Sequence, residues 1–285
     1  MTAYYRLSGG GNDFLALVEP RADPAEGEIR AWCSRGLSLG ADGLFVVRRA
    51  TGAVRMDYFN ADGRAAGLCI NGTRCAARLA FHLEWARGET QILTGAGGVE
   101  ARDVGGDRIR LRLPWPIEPP QRLRLTVERE SFEGWSVRVG VPHLVLPWRE
   151  SLERAPVARL GPALRRHPRF GEAGTNVDFV RFPSRGTVEI RTFERGVEAE
   201  TLACGSGVLA AAVTGLALGR LAPPVEARTL GGFAFTADRD GESAELATWC
   251  LTGDARIVSR GTILPAAASL PPSPVWSREA LAEEG

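Results

Sequence analysis

The sequence contains no lysine: all 35 of its basic residues are arginine. Without a lysine amine there is no Schiff base to hold pyridoxal phosphate and no Walker-type phosphate loop. Histidine is scarce, with His82, His143 and His167 the only three, and no Cys-x-x-Cys pair occurs, so metal-ligand sets are thinly supplied. The five cysteines are an odd number, and the start, MTAYYRLSGGG, lacks the basic-then-apolar order of a signal peptide. A disulfide framework is therefore not expected. No apolar run approaches the roughly 18 residues a membrane span needs. The 34 acidic residues almost cancel the arginines, leaving a net charge of +1 with no long basic run. Neither a nucleic-acid nor a membrane partner is expected from that balance. The exclusions point to a cytoplasmic globular protein, 285 residues long, 44% hydrophobic and 24% charged. A chain of this length buries about three quarters of its unfolded surface and accommodates two domains of roughly 140 residues.

What is there is a repeat. Gly40–Phe59 reads GADGLFVVRRATGAVRMDYF and Gly174–Phe193 reads GTNVDFVRFPSRGTVEIRTF. Aligned without gaps, they agree at Gly40/Gly174, Phe45/Phe179, Val46/Val180, Gly52/Gly186, Val54/Val188 and Phe59/Phe193. Each has strand-like segments around a glycine-containing turn, a β-hairpin pattern. Each is followed by a polar stretch and then a cysteine in the frame Cys-x-x-Gly-x-x-x-Ala-Ala, CINGTRCAA from Cys69 and CGSGVLAAA from Cys204. Both frames lead into Ala/Leu-rich segments of helical character, Thr73–Ala86 and Val208–Leu218. A duplicated domain with small cysteines filling tight helix–sheet contacts would account for either cysteine alone. Recurrence of the pair with its glycines and polar flanks favours chemistry.

That chemistry follows from the position. A free thiol has a pKa near 8.5, about 3% ionised at pH 7, and a helix N-terminus favours the thiolate. The exposed N–H groups of the same helix start can hold a carboxylate. Two such starts facing each other would grip an α-carboxylate and set one sulfur on each side of its α-carbon. One thiolate could then remove the α-proton while the opposite thiol protonates the other face, with no pyridoxal needed.

The flanking motifs resemble those of the diaminopimelate epimerase family from about Tyr4 to Leu264. GGGNDF (Gly9–Phe14), FNADG followed by CINGTRC (Phe59–Cys75), GVPH (Gly140–His143), GTNVDF (Gly174–Phe179) and ERGVEAETLACGSG (Glu194–Gly207) occur in the family's order. The resemblance implies a cofactor-independent epimerase converting LL-2,6-diaminopimelate to the meso form, for lysine and peptidoglycan precursor synthesis. It implies Cys69 and Cys204 as the acid/base thiols, with Glu194 and His143 assisting them and orienting the substrate. Backbone N–H groups at Ile70–Asn71 and Gly205–Ser206 would bind the reacting carboxylate. Asn12, Asn60, Asn176 and Arg195 would hold the amino group and far carboxylate, a task that suits the bidentate guanidinium of Arg195. Three positions depart from the family: Ile70 where glycine is usual, Val141 where many members have asparagine, and Gly43 where some carry glutamine. They bear on the substrate more than on the reaction.

The expected fold class is α+β, with two pseudo-symmetric domains, each a mainly antiparallel sheet or barrel around a central helix, and the site in the cleft between them. Residues 1–118 form the first half, ending in PWPIEPP (Pro114–Pro120), a proline-rich linker. Residues 119–253 form the second, and by analogy with the family a strand within about 254–267 returns to the first. Residues 268–285 read as a mobile tail. Cys33, Cys75 and Cys250 read as packing residues, and no metal is expected. The partner expected is a small amino-acid substrate, with a homodimer left open. Three alternatives stand beside this reading: another amino-acid racemase or epimerase on the same scaffold, a thiol redox protein pairing Cys69 with Cys204, and an inactive binding paralogue that keeps the cleft without turnover.

Overall fold

The two copies of the repeat fold alike, and each wraps a sheet around the helix that its cysteine begins. The computed structural model describes residues 2–240 and 248–268. In the first half β1 (Thr2–Gly9) and β2 (Asn12–Val18) form a hairpin, and α1 (Glu26–Cys33) crosses over to β3 (Gly43–Ala50), parallel to β2. β4 (Ala53–Asn60) returns antiparallel, the two-residue β5 (Ala65–Ala66) pairs with it, and α2 (Ile70–His82) crosses to β6 (Glu89–Thr94), parallel to β4. β7 (Gly97–Asp103) and β8 (Arg108–Arg112) complete an antiparallel meander.

The second half begins with β9 (Gln121–Val127) and then repeats the plan. β10 (Glu130–Val139) and β11 (Val141–Pro147) form the hairpin, α3 (Val157–Arg165) the first crossover, and β12 (Asn176–Ser184) and β13 (Thr187–Glu194) the second hairpin. β14 (Ala199–Thr201), α4 (Gly205–Ala217), β15 (Val225–Thr229), β16 (Ala234–Asp240) and β17 (Thr248–Asp254) follow in the same roles. β18 (Arg256–Ile263) pairs with β1, the counterpart of the β9–β10 pairing. β8 pairs with β17, Ile109 opposite Gly253, and so the two halves share one continuous ladder. This is an α+β fold of two similar domains, with parallel pairing only where α1, α2, α3 and α4 cross over. The tail expected from residue 268 lies, past Ala268, outside the described residues.

The helices sort by composition. α4, GSGVLAAAVTGLA, is apolar on nearly every side, which suits a helix buried all round, and Gly205 and Gly207–Gly215 are all buried. α2 is as deeply buried but carries Arg74 and Arg78, whose Nε atoms donate to the carbonyls of Asp254 (3.2 Å) and Ala255 (3.1 Å) at the β17–β18 corner. α2 and α4 share one core cluster that runs through both halves, while α1 and α3 cover separate cores on the outer faces. Each fully buried Val or Leu there contributes about 1.5–3 kcal/mol. Both central helices start earlier than the Ala/Leu-rich segments suggest, directly after the cysteines. α2 also stops short of the expected Ala86: Leu83 is its C-cap, and Glu84 with φ 56° turns the chain out of the helix. Gly10 meets a similar local demand: it has φ 59°, and a Cβ there would lie 3.0 Å from Arg74 Nη2 and Asn71 Nδ2. The triple glycine therefore lets the first hairpin turn lie against the start of α2.

Candidate active site

Cys69 and Cys204 occupy the N-cap positions of α2 and α4, in extended backbone conformation. The two helix starts abut: a Cβ on Gly205 would stand 2.9 Å from Asn71 Oδ1 and 3.1 Å from Ile70 Cγ2. That contact explains how Ile70 is accommodated. Its side chain packs, 5% exposed, into space that the facing glycine leaves free. The Cys69 Sγ accepts from the Gly72 N–H at 3.4 Å, a weak sulfur cap, whereas no side chain caps α4. The first-turn N–H groups of α4 thus have no side-chain cap to compete with an anion.

A cavity of about 920 Å³ opens over this junction. Asn12, Asn60, Cys69, Ile70, Asn71, Asn176, Glu194, Arg195, Cys204, Gly205 and Ser206 all line it, as does Val141. His143 does not. It is fully buried behind the wall, with Nδ1 2.7 Å from Asp178 Oδ2 and Nε2 3.0 Å from Ser206 Oγ. Ser206 Oγ in turn lies 3.4 Å from Cys204 Sγ. The expectation that His143 orients substrate is corrected accordingly: it reaches the thiol only through Ser206. The Arg195 N–H donates to Asn176 Oδ1 at 2.8 Å, which turns the Asn176 amide nitrogen toward His143 Nε2, 3.4 Å away. Nε2 is then the acceptor and Nδ1 carries the proton that Asp178 receives. Asp178 also accepts from Thr192 Oγ1 at 2.8 Å, so this fully buried carboxylate has both oxygens satisfied.

Both thiols are pushed above the ordinary cysteine range, Cys69 to about 11 and Cys204 well up, in each case mainly by burial. Burial thus works against the pull of the helix start toward the thiolate at both sulfurs. The Gly72 N–H does favour the Cys69 thiolate, but desolvation outweighs it. Cys204 has in addition the carboxylates of Glu194 and Asp178 working against ionisation. Glu194 accepts from the Thr201 hydroxyl, and its own pKa is raised, chiefly by burial.

The residues expected to hold substrate divide into two groups. Asn12 donates to Asp42 Oδ2 (3.1 Å) and accepts from Asn71 (2.8 Å), while Asn71 accepts from Arg74 Nη2 at 2.6 Å. These amides form a braced wall. The side chains of Asn60 and Arg195 make no hydrogen bond among the described residues, and so their polar groups face the cavity uncommitted. Burial, together with Arg165 and Arg138 close by, lowers the Arg195 pKa.

Sequence reasoning did not single out Tyr58, Asp178, Thr201 or Arg74. The signal for Asp178 was present in the repeat, two residues after Asn176, as an acidic residue in an otherwise apolar strand. Arg74, buried with its guanidinium 5.0 Å from the Phe235 ring centroid, carried none.

The fold is one that racemising enzymes use. It superposes on a hydroxyproline epimerase from Agrobacterium vitis with a TM-score of 0.71 at 17% identity, covering 96% of both chains. It also matches a phenazine biosynthesis protein of the PhzF family from Enterococcus faecalis, with a TM-score of 0.68 at 16% identity, over 92% of this chain and 99% of that one. At these identities the likeness is one of fold alone: a duplicated α+β scaffold shared by epimerases and other proteins. The sequence is more specific. Residues 135–258 match the family described as diaminopimelate epimerase. The chain is 34% identical to the diaminopimelate epimerase of Aquifex aeolicus over 275 residues, covering 91% of this chain and 97% of that protein. It is 36% identical over 281 residues to that of Gemmatimonas aurantiaca, covering 92% and 99%. This chain belongs to the diaminopimelate epimerase family.

Proposed function

We propose that the protein interconverts LL- and meso-2,6-diaminopimelate by moving the α-proton between two thiols, in the cytoplasm and in the service of lysine and peptidoglycan precursor synthesis. The observation that carries the reading is the pair of cysteines capping two abutting helices within one cavity. The first-turn N–H groups of α2 and α4 hold the α-carboxylate, which draws off charge as the α-carbon becomes carbanionic. One sulfur, as thiolate, takes the α-proton from one face; the other, as thiol, donates its proton to the opposite face. The product leaves with inverted configuration, and the thiol and thiolate have exchanged roles. Arg195, with Asn60 and Asn176, receives the far amino-acid end. Five unpaired cysteines are consistent with a reducing compartment.

The test is incubation of the reduced protein with LL-diaminopimelate in D2O. Meso product carrying deuterium at one α-carbon is expected, and neither exchange nor inversion would overturn the reading. The same assay across pH should trace a bell, because one thiolate and one thiol are both required. Since burial pushes both thiols upward, the rising limb belongs on the alkaline side of a free cysteine's titration. Activity falls as acid protonates the first sulfur and falls again when the second loses its proton.

Arg195→Met should raise KM for diaminopimelate about 10- to 100-fold with a smaller change in kcat, the size of a lost charged hydrogen bond. Steady-state kinetics checks this. A second reading, an epimerase for an amino acid with a less polar far end, is favoured by Val141 in the cavity wall. Turnover of such a substrate, unaffected by Arg195→Met, would support it.

A further inference from the structure

We propose that Arg74 is a positioning residue: its buried guanidinium locks the Asn71 and Asn12 amides in one orientation, so that the pair offers N–H donors, and hence a carboxylate site, to the cavity. This rests on the reading of that cavity as the place of epimerisation. The whole chain has four asparagines, Asn12, Asn60, Asn71 and Asn176, and all four line it. Two of them stand in a row with fixed ends. Arg74 Nη2 donates to Asn71 Oδ1 at 2.6 Å, Asn71 Nδ2 to Asn12 Oδ1 at 2.8 Å, and Asn12 Nδ2 to Asp42 Oδ2 at 3.1 Å. Asp42 is itself held, Oδ1 accepting from Arg35 Nη2 at 2.8 Å and Oδ2 from the Asp13 N–H at 3.1 Å.

An amide can bond either way round, but a guanidinium only donates and a carboxylate only accepts. Arg74 at one end and Asp42 at the other therefore impose the same direction on both amides. Each oxygen is spent inside the row, and each nitrogen keeps a second N–H with no partner among the described residues. Such a pair matches a carboxylate, which only accepts, and is mismatched to an ammonium group, which only donates. The role of Asn12, amino group or carboxylate by resemblance, narrows to the carboxylate. The setting of Arg74 fits the task. It is fully buried, forms no ion pair among the described residues, and its Nη1 has no hydrogen-bond partner there. Two glycines clear its space: a Cβ on Gly10 would lie 3.0 Å from Nη2, and one on Gly253 3.0 Å from Nε. A buried cation is ordinarily paired with a carboxylate; this one spends its charge on an amide at the start of α2.

The experiment is nitrogen-15 NMR of the full chain labelled only at asparagine, which gives four side-chain amide pairs, each assigned by replacing its asparagine in turn. In the unaltered protein the Asn71 and Asn12 amides should exchange with solvent more slowly than that of Asn60, whose side chain makes no hydrogen bond among the described residues. Arg74→Met, which keeps the bulk of the side chain and removes every donor, should speed exchange at both by about tenfold and leave Asn176 unchanged. In the D2O assay it should lower kcat about 100-fold, the worth of a donor misplaced from developing charge, and raise KM by less than about tenfold. Arg74→Lys, which restores a cation and a donor, should bring back the slow exchange at Asn71 and a kcat within about tenfold of the unaltered protein. Melting of Arg74→Met should change little, because an unpaired buried charge gives way to an apolar chain. Unmoved Asn71 and Asn12 signals in Arg74→Met, an unchanged kcat, or activity lost only in step with the melting temperature overturns the proposal. If Arg74→Met does not fold, the unaltered spectrum decides: Asn71 and Asn12 exchanging as fast as Asn60 overturns it. Amide exchange is read without turnover, so it stands or falls separately from the epimerase assignment, which the D2O incubation of the unaltered protein decides.

Discussion

Replacing either Cys69 or Cys204 by alanine is expected to separate proton exchange from inversion. With both thiols present, the proton taken from one face is replaced from the other. With one thiol left, the carbanion can be reprotonated only by the group that formed it. Each variant should therefore wash solvent deuterium into the isomer whose α-proton faces the remaining sulfur and leave its configuration unchanged. Net epimerisation should fall by about 10²- to 10⁴-fold, the usual worth of a positioned acid or base. Chiral separation of the isomers together with mass spectrometry of the α-position measures both quantities in one sample. The two variants should label opposite isomers. If both inverted substrate at the original rate, a two-thiol mechanism would be untenable. The substitutions remove only a weak cap on α2 and none on α4, so folding should be nearly unaffected.

The second large effect is expected at Asp178, which touches neither thiol. It is completely buried, receives His143 Nδ1 and Thr192 Oγ1, and lies against Gly207, where a Cβ would come within 2.5 Å of its Oδ1. Asp178→Ala leaves two buried donors without an acceptor, at a cost of about 3–5 kcal/mol. A fall in Tm on the order of 10 °C should follow for a protein of this size. Asp178→Asn is the more informative variant. Its amide can present an N–H to His143 Nδ1, which must then accept, forcing the ring proton onto Nε2. Nε2 would donate to Ser206 instead of accepting from it, reversing the hydrogen bond that leads to Cys204. A fall in kcat of about 10²-fold with KM little changed is expected, and calorimetry beside steady-state kinetics separates this from the loss of stability. Equal activity in Asp178→Asn would show that the relay behind Cys204 has no part in turnover.

Much of the site was legible because it is written in short, contiguous motifs. Cys69 with Asn71 and Cys204 with Ser206 sit within three residues of a helix start, so local periodicity finds both the helix and the polar cluster at its start. The repeat carried the pseudo-symmetry, since the same hairpin and cysteine spacing must fold the same way twice. The placement of His143 was not legible. Only the parallel pairing of β11 with β12, His143 beside Asn176, shows it facing away from the cavity toward Asp178 and Ser206. Tyr58 escaped notice because in the one-dimensional pattern it is an aromatic in a strand, as a core residue would be. The helix ends were misjudged for a similar reason: Ala-rich composition says that a helix is favoured, while Glu84 in a left-handed turn is what stops it.

The sequence by itself determined which cofactor chemistry is closed to the protein and where its paired cysteines fall. A chain without lysine cannot form a pyridoxal Schiff base, and two cysteines in matched frames put the same ionisable group at two helix starts. Those are facts of covalent chemistry and local spacing, and they hold wherever the segments lie. Only the tertiary structure decided how the two thiols differ. Desolvation and through-space charge depend on what packs around each sulfur. The fold buries both sulfurs and sets Glu194 near each of them, with Asp178 near Cys204 as well. It also brings Arg138 of β10 and Arg165 of α3 near Arg195, in the turn after β13. Sequence order carries no trace of these meetings, because residues distant along each half come together only when its sheet wraps the central helix.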